Sequence, residues 1–219
     1  GTTGEYYVES HDERVQLLTL AREAVGDQTQ IIFGTGSLDP NQSLKLAEAG
    51  AKNGADVLLV ATPPYSLPTQ RELALHALAI DRVADMPIML YNYPDRMGVN
   101  MEAEFLDRVG QSINFCGIKE SSGDINRLHM MVRDYPHIQT ACGMDDQALE
   151  FFAWGARSWV CAGSNFLAKE HIALYQACVV ENDFVKGRRI MSAMMPLMHV
   201  LEQGGKFIQS VKYGVTLDG

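Results

Sequence analysis

Cysteine is scarce and unpatterned in this chain. Cys116, Cys142, Cys161 and Cys178 form no CxxC pair and share no metal-ligand spacing with the six histidines. That excludes a disulfide-built scaffold and a thiolate metal centre, and a reducing, cytoplasmic compartment is expected. Cys116, Cys142 and Cys161 lie in apolar, strand-like runs and read as buried free thiols. No apolar stretch reaches the ~18–20 residues that a membrane span needs, and no signal peptide is read at the start of the sequence. There is no Lys/Arg cluster and no interleaved aromatic stripe, and the formal net charge is −9. Binding to nucleic acid is therefore not expected. His11, His76, His129, His137, His171 and His199 fall in helical or loop contexts without triad or ligand spacing and read as packed or solvated. The eleven methionines read as helix packing.

What is present is a chain of 219 residues, 47% hydrophobic, enough for one sizeable core. Short apolar runs alternate with longer helical stretches. The strand candidates are Ile31–Phe33, Val57–Ala61, Ile88–Tyr91, Phe115–Lys119, Ile138–Cys142 and Trp159–Ala162. Their pitch of roughly 20–30 residues is that of repeated strand–helix units in a parallel α/β architecture. Continuous apolar runs are expected where both faces of a sheet are covered. Ser10-His11-Asp12-Glu13 and Thr69-Gln70-Arg71-Glu72 are capping boxes. Pro40 suits a first helical turn, and Asn53-Gly54 the exit of the same helix. Asp145 or Asp146 is expected to cap a helix that stops at Gly155. From about Ala168 the pattern is helical with no strand, and Pro196 is expected to kink or divide one of these helices. The division predicted is a (β/α) barrel portion over 1–165 and a C-terminal helical region over 166–219.

An open doubly wound sheet and a closed (β/α)8 barrel both satisfy the alternation. The polar sets favour the barrel. Gly34-Thr35-Gly36-Ser37, Thr62-Pro63-Pro64-Tyr65, Tyr91-Asn92-Tyr93-Pro94, Lys119-Glu120, Gly143-Met144-Asp145 and Gly163-Ser164-Asn165 each follow a strand. A barrel gathers all such ends on one face. Six strands are read where eight are needed, and Gly1-Thr2-Thr3-Gly4-Glu5 reads as a turn cut from a larger protein. The expectation is a TIM barrel lacking its first strand–helix unit, with unpaired edges.

Lys119 closes the run Phe115-Cys116-Gly117-Ile118-Lys119. An ammonium at the end of a buried strand is costly to desolvate, so its pKa is expected to fall and the neutral amine to become available as a nucleophile. Such a lysine is a candidate for a Schiff base with a carbonyl substrate. If the strand persists, Glu120 points the other way and need not neutralise it. Tyr91, one strand earlier, can present its phenol as acid and base for carbinolamine formation. Asn92 is read as ordering its turn. Thr2 and Thr3 can offer hydroxyls and backbone N–H groups to a carboxylate, and Arg96 a guanidinium fork. Gly34-Thr35-Gly36-Ser37 lacks a Walker lysine and full GxGxxG spacing, and reads as a tight βα turn.

Together these motifs resemble the dihydrodipicolinate synthase/N-acetylneuraminate lyase superfamily. The carrying segments are Gly1-Thr2-Thr3-Gly4-Glu5, Gly34-Thr35-Gly36, Thr62-Pro63-Pro64-Tyr65, Tyr91-Asn92-Tyr93-Pro94-Asp95-Arg96-Met97-Gly98 and Gly117-Ile118-Lys119-Glu120-Ser121-Ser122-Gly123-Asp124. The resemblance implies a lyase whose Lys119 forms an imine with pyruvate or a 2-keto-3-deoxy acid. It implies Tyr91 as proton shuttle, relayed by Thr3, with Thr2 and Thr3 on the carboxylate. It also implies Arg96 on a second carboxylate, backbone lining by Gly143 and Val160, and no metal or organic cofactor. Tyr65 would reach a neighbouring subunit in a homodimer or homotetramer. Pro64 replaces an aromatic usual in the synthases, and Tyr93 adds bulk. The Trp154 and Trp159 pair and the tail after Lys119 look more like sugar-acid dehydratases. Condensation, dehydration and retro-aldol cleavage all stay open. So do a catalytically silent keto-acid binder and an incomplete chain that neither folds nor acts alone.

Overall fold

The structure is a computed structural model that describes residues 1–218. The chain packs as two compact units, one of Gly1–Ile118 and one from Lys119 onward. The change of pattern near residue 165 is a different division, from strand–helix units to helices alone.

The first unit opens with a 3-10 turn at Thr2–Gly4, followed by α1 (His11–Val25), β1 (Ile32–Gly34), α2 (Pro40–Lys52), β2 (Val57–Ala61), α3 (Gln70–Ala84), β3 (Ile88–Asn92), α4 (Pro94–Met97) and α5 (Ala103–Val109). Strands β1, β2 and β3 are parallel neighbours, with Phe33 beside Leu58 and Ala61 beside Tyr91. The fourth strand, β4 (Phe115–Glu120), begins in this unit, where Ile88 N donates to Asn114 O at 2.7 Å. Both capping boxes form as expected: Ser10 and Thr69 each accept from the backbone N–H three residues on, and Glu13 and Glu72 reach back. Asp39 caps α2 with Pro40 in its first turn. The helices cover the strands with Leu46, Ala47, Leu73, Ala77, Ile80, Phe105 and Leu106. The strands answer with Phe33, Leu58, Val60, Ile88 and Leu90, all buried.

In the second unit the end of β4 is followed by α6 (Ile125–Asp134), β5 (Gln139–Cys142), a 3-10 turn at Asp145–Gln147, α7 (Ala148–Ala153), β6 (Ser158–Trp159) and a 3-10 turn at Gly163–Asn165. Helices α8 (Ala168–Tyr175), α9 (Phe184–Gln203) and α10 (Phe207–Asp218) complete it, with a π-helical turn at Gln176–Val180 after α8. Strands β5 and β6 are parallel, and Gly143 N bonds Glu120 O at 3.0 Å beside β4. Phe151, Phe152, Leu174, Met191, Met194, Met198 and Leu201 build the core.

The α/β alternation and the C-terminal helical part agree with the sequence. Six strands, the number read from the sequence, form one sheet among the described residues. Four local expectations are corrected. Strand β6 stops at Trp159, because the N–H groups of Ala162 and Gly163 turn to the Asp145 carboxylate. Neither Asp145 nor Asp146 caps α7, which runs Ala148–Ala153 with Gln147 at its N-cap; the Asp145 side chain is spent on those donors. Pro196 does not divide α9, which runs unbroken around it while Met191, Met194, Met198 and Leu201 anchor its buried face. Cys116 is exposed, since the alternation of β4 buries Phe115 on the opposite face; Cys142 is buried and Cys161 half-buried.

Leu58 is fully buried under the helices of the first unit. Leu58→Ala is expected to cost about 2–5 kcal/mol, and Ser10→Ala, which removes only a cap, about 1 kcal/mol. Urea denaturation checks both; equal losses would contradict this account of the core.

Candidate active site

Two clusters of polar side chains follow the strand ends, one in each unit. In the second unit Lys119 leads from β4 to Ser121. Its neighbour across the sheet is Gly143. A Cβ built on Gly143 would lie 1.9 Å from Ser121 Oγ and 3.0 Å from Lys119 Cε, so the lysine stem runs across the bare face of that glycine. Val160, after β6, donates its N–H to Cys142 O at 2.9 Å and is half-buried.

Lys119 as a whole residue keeps intermediate exposure, yet burial around its ammonium is the largest influence on it and lowers its pKa. Asp145 opposes that shift first, followed by Cys142, Glu202 and Cys161. Burial raises the pKa of both thiols, Cys142 most strongly, so neither behaves as a thiolate nucleophile. Asp145 is 1% exposed. Its carboxylate accepts from Trp159 Nε1 at 3.1 Å, Ala162 N at 3.1 Å and Gly163 N at 2.9 Å. Its own N–H donates to Glu202 Oε1 at 2.8 Å. Glu120 points away from this group, as alternation requires. It is buried, pairs with Arg127 Nε at 3.1 Å and accepts from Ser122 N at 2.8 Å. Ser121 Oγ is buried with no hydrogen-bond partner among the described residues.

In the first unit Tyr91 is the last residue but one of β3, is buried, and stacks on Tyr93 at 5.7 Å. A Cβ on Gly1 would come within 3.6 Å of the Tyr91 ring. Thr2 is buried and Thr3 half-buried in the adjoining 3-10 turn. A cavity of about 20 Å³, room for one water, is bordered by Gly1, Tyr6, Arg14, Gly34, Tyr91 and Met97. Arg14 is buried; it donates to Gly36 O at 2.8 Å and to Gly34 O, and its guanidinium lies 5.6 Å from the Tyr6 ring centre. Burial raises the Tyr6 pKa, Arg14 lowers it, and Tyr91 adds to the rise. Asn92 orders the following loop by accepting from Met101 N at 3.0 Å, as the sequence suggested. Thr35 bonds Leu59 O through its amide, which fits the tight βα turn expected there. Tyr65 is 90% exposed at φ 71°, and Arg96 is exposed on α4.

Thus Lys119 and Gly143 come together in one unit, and Tyr91 and Gly1 in the other. Glu202, Tyr6 and Arg14 were missed by sequence reasoning. Arg14 had a signal: it stands four residues before Leu18 on the buried stripe of α1, where a solvated arginine is out of place. Asp145 was read in the polar set after β5 and as a cap, not as a group acting on Lys119. Glu202 had no signal, since 82 residues separate it from Glu120 in the chain. Among the described residues no group of three or more His, Cys, Asp or Glu side chains is arranged to hold a metal ion, and no helix is long and apolar enough to cross a membrane.

The family model described as the dihydrodipicolinate synthetase family matches residues 1–219. A 4-hydroxy-tetrahydrodipicolinate synthase from Exiguobacterium sibiricum is 34% identical over 202 residues, which cover 92% of this chain and 69% of that protein. The crystal structure of a protein described as a putative dihydrodipicolinate synthetase from Pseudomonas aeruginosa is similar with a TM-score of 0.92 at 28% identity. The match covers 100% of this chain and 76% of that one. The chloride-inhibited dihydrodipicolinate synthase from Acinetobacter baumannii, solved with pyruvate, is similar with a TM-score of 0.86 at 27% identity, covering 92% of this chain and 69% of that one.

Gly143→Ala drives a methyl into Ser121 Oγ, Glu120 O and the Lys119 stem. The expected cost is about 1–3 kcal/mol, together with a displaced lysine. Denaturation measures the first effect; an unchanged midpoint would mean that the Ser121 and Lys119 side chains give way freely.

Proposed function

The chain belongs to the dihydrodipicolinate synthetase family, and from that premise we propose that it is a Schiff-base lyase acting on pyruvate or a related 2-keto acid through Lys119. The observation that carries this reading is the lowered pKa of an amine at a strand end, beside a glycine that leaves its path open. A neutral amine attacks the C2 carbonyl and gives a carbinolamine, which takes up a proton and loses water to leave a protonated imine. That cation is an electron sink. A proton or a carbon–carbon bond next to it is lost to give an enamine, which attacks an aldehyde or expels a β-hydroxyl. Tyr91 is assigned the proton transfers, with Thr3 as relay, and Thr2 and Thr3 the keto-acid carboxylate. Arg96 is assigned a second carboxylate, and the Gly143 and Val160 backbones line the pocket. These roles come from the motifs that carry the family resemblance.

The names of the relatives support condensation as the leading reaction. Dehydration or cleavage of a 2-keto-3-deoxy sugar acid is the second reading, supported by Pro64 and by the Tyr93 ring stacked on Tyr91. The tryptophan pair no longer adds to it: Trp159 holds Asp145 and stacks on His171, and Trp154 packs on His129. Incubation with pyruvate and aspartate semialdehyde, against 2-keto-3-deoxyarabonate, separates the two. Product from the sugar acid alone removes the synthase reading. A TIM-barrel arrangement of the six strands, a division into residues 1–165 and 166–219, and a cytoplasmic homodimer or homotetramer belong to the same proposal. Tyr65, exposed and held at positive φ, suits a residue offered to a partner subunit.

Lys119→Ala is expected to abolish borohydride trapping of pyruvate, read as adduct mass; retained trapping would defeat the assignment, and a wild-type protein that traps nothing would favour a silent keto-acid binder. Tyr91→Phe is expected to slow turnover by roughly 10²–10⁴, the scale of acid–base assistance. A near-normal kcat would make Tyr91 structural.

A further inference from the structure

Tyr91 is 3% exposed, yet the proton transfers assigned to it require exchange with water. Two spaces of the first unit share a partition, and one of them lies at Tyr91. The inner space, of about 20 Å³, is bordered by Tyr91 and has room for one water. The outer space, of about 250 Å³, is bordered by Tyr7 and Leu38, both exposed. Three residues, Tyr6, Arg14 and Gly36, border both.

These three differ in what they can pass. Arg14 keeps its charge, because a guanidinium does not lose its proton in a protein. Two of its nitrogens are also bound to Gly34 O and Gly36 O. Gly36 has no side chain, and that lets the Tyr6 ring lie against the turn. A Cβ there would come within 3.2 Å of Tyr6 Cε2 and 3.4 Å of Cζ, the carbon that carries the hydroxyl. Tyr6 is half-buried, and its hydroxyl makes no hydrogen bond to a described residue. A phenol both donates and accepts. Of the three, Tyr6 is therefore the one able to hand a proton from one space to the other.

Resting on the imine assigned to Lys119 and the proton transfers assigned to Tyr91, we propose that Tyr6 is a positioning residue that carries a proton path: one water in the inner cavity joins the Tyr91 hydroxyl to that of Tyr6, which exchanges protons with the outer pocket. The transfers balance. A solvent or buffer base in the outer pocket takes the Tyr6 proton, the Tyr6 oxygen takes one from the cavity water, and that water takes the proton of Tyr91. Tyr6 and the water end as they began. Tyr91 is left as the phenolate that removes a C3 proton from the pyruvate imine, and the reverse sequence returns a proton. The Arg14 guanidinium, 5.6 Å from the Tyr6 ring centre, favours the anion that Tyr6 becomes in passing. Burial acts the other way and keeps Tyr6 a neutral phenol at rest.

The test is deuterium uptake into the methyl group of pyruvate in D2O, read by mass spectrometry on the full chain and net of a protein-free control. Uptake needs the imine, removal of a C3 proton and exchange of that proton with solvent. Tyr6→Phe keeps the ring against Gly36 and beside Arg14 and removes the hydroxyl alone. Y6F is expected to reach the wild-type extent of borohydride trapping. Its deuterium uptake at low buffer is expected to slow about 10-fold, less than the 10²–10⁴ of a group acting directly. Added imidazole, at fixed pH and ionic strength, is expected to restore the Y6F rate by serving as the base that Tyr6 supplied, with little effect on wild type. Equal uptake by Y6F and wild type at every imidazole concentration would overturn the proposal. A Y6F deficit that imidazole leaves unchanged, or one accompanied by a lower denaturation midpoint, would make the hydroxyl structural and overturn it as well. A wild-type protein that traps no pyruvate would instead defeat the imine reading, and this proposal with it.

Discussion

The carboxylate of Asp145 is buried, and a buried charge persists only where donors surround it. The rest of the second unit is built on meeting that demand. Two backbone N–H groups leave the β6 path to serve it, so the strand ends after two residues and the chain turns into the Gly163–Asn165 helix. Trp159 gives its indole N–H to the same carboxylate, which fixes the ring against His171 and Phe152. The Asp145 amide in turn docks Glu202 and so ties the end of α9 to the strand ends. Asp145 is also the strongest charge acting to keep Lys119 protonated against burial. One side chain therefore couples the backbone course, the helix packing and the state of the amine.

Alternation along β4 keeps the other charges out of this arrangement. Glu120 follows Lys119 by one residue and points to the opposite face, where Arg127 of α6 and the Ser122 amide hold it. A carboxylate one residue removed in sequence is thus held by Arg127 and the Ser122 amide, while one 83 residues away acts on the amine. Gly143 completes the site through the absence of a side chain. Any Cβ there would occupy the course taken by the Lys119 stem.

The first unit follows a similar logic with aromatic and cationic groups. Tyr91 is carried on a buried strand between apolar helices, and Arg14 is turned inward from α1 to bond two carbonyls of the Gly34-Thr35-Gly36 turn. A buried guanidinium needs such acceptors, and the Tyr6 ring beneath it shields it further. The tight βα turn is therefore closed from within by an arginine of the same unit.

The strand–helix order, the capped starts of α1, α2 and α3, and the lysine at the end of β4 were all legible in the sequence. Each depends on residues within one turn or one strand of each other, where hydrogen-bond geometry and side-chain period dominate. Val57–Ala61 reads as a strand because five apolar residues are bounded by turn formers, and it is one. Tertiary structure decided what local pattern does not encode. Pro196 stays inside a helix because four buried side chains on α9 hold it there. Trp159–Ala162 is cut short because a carboxylate 14 residues earlier than Trp159 competes for its amides. Glu202 reaches Asp145 only because α9 packs in that register. Burial and charge are sums over neighbours from several elements, so the state of Lys119 belongs to the folded unit, while its position at the strand end belongs to the sequence.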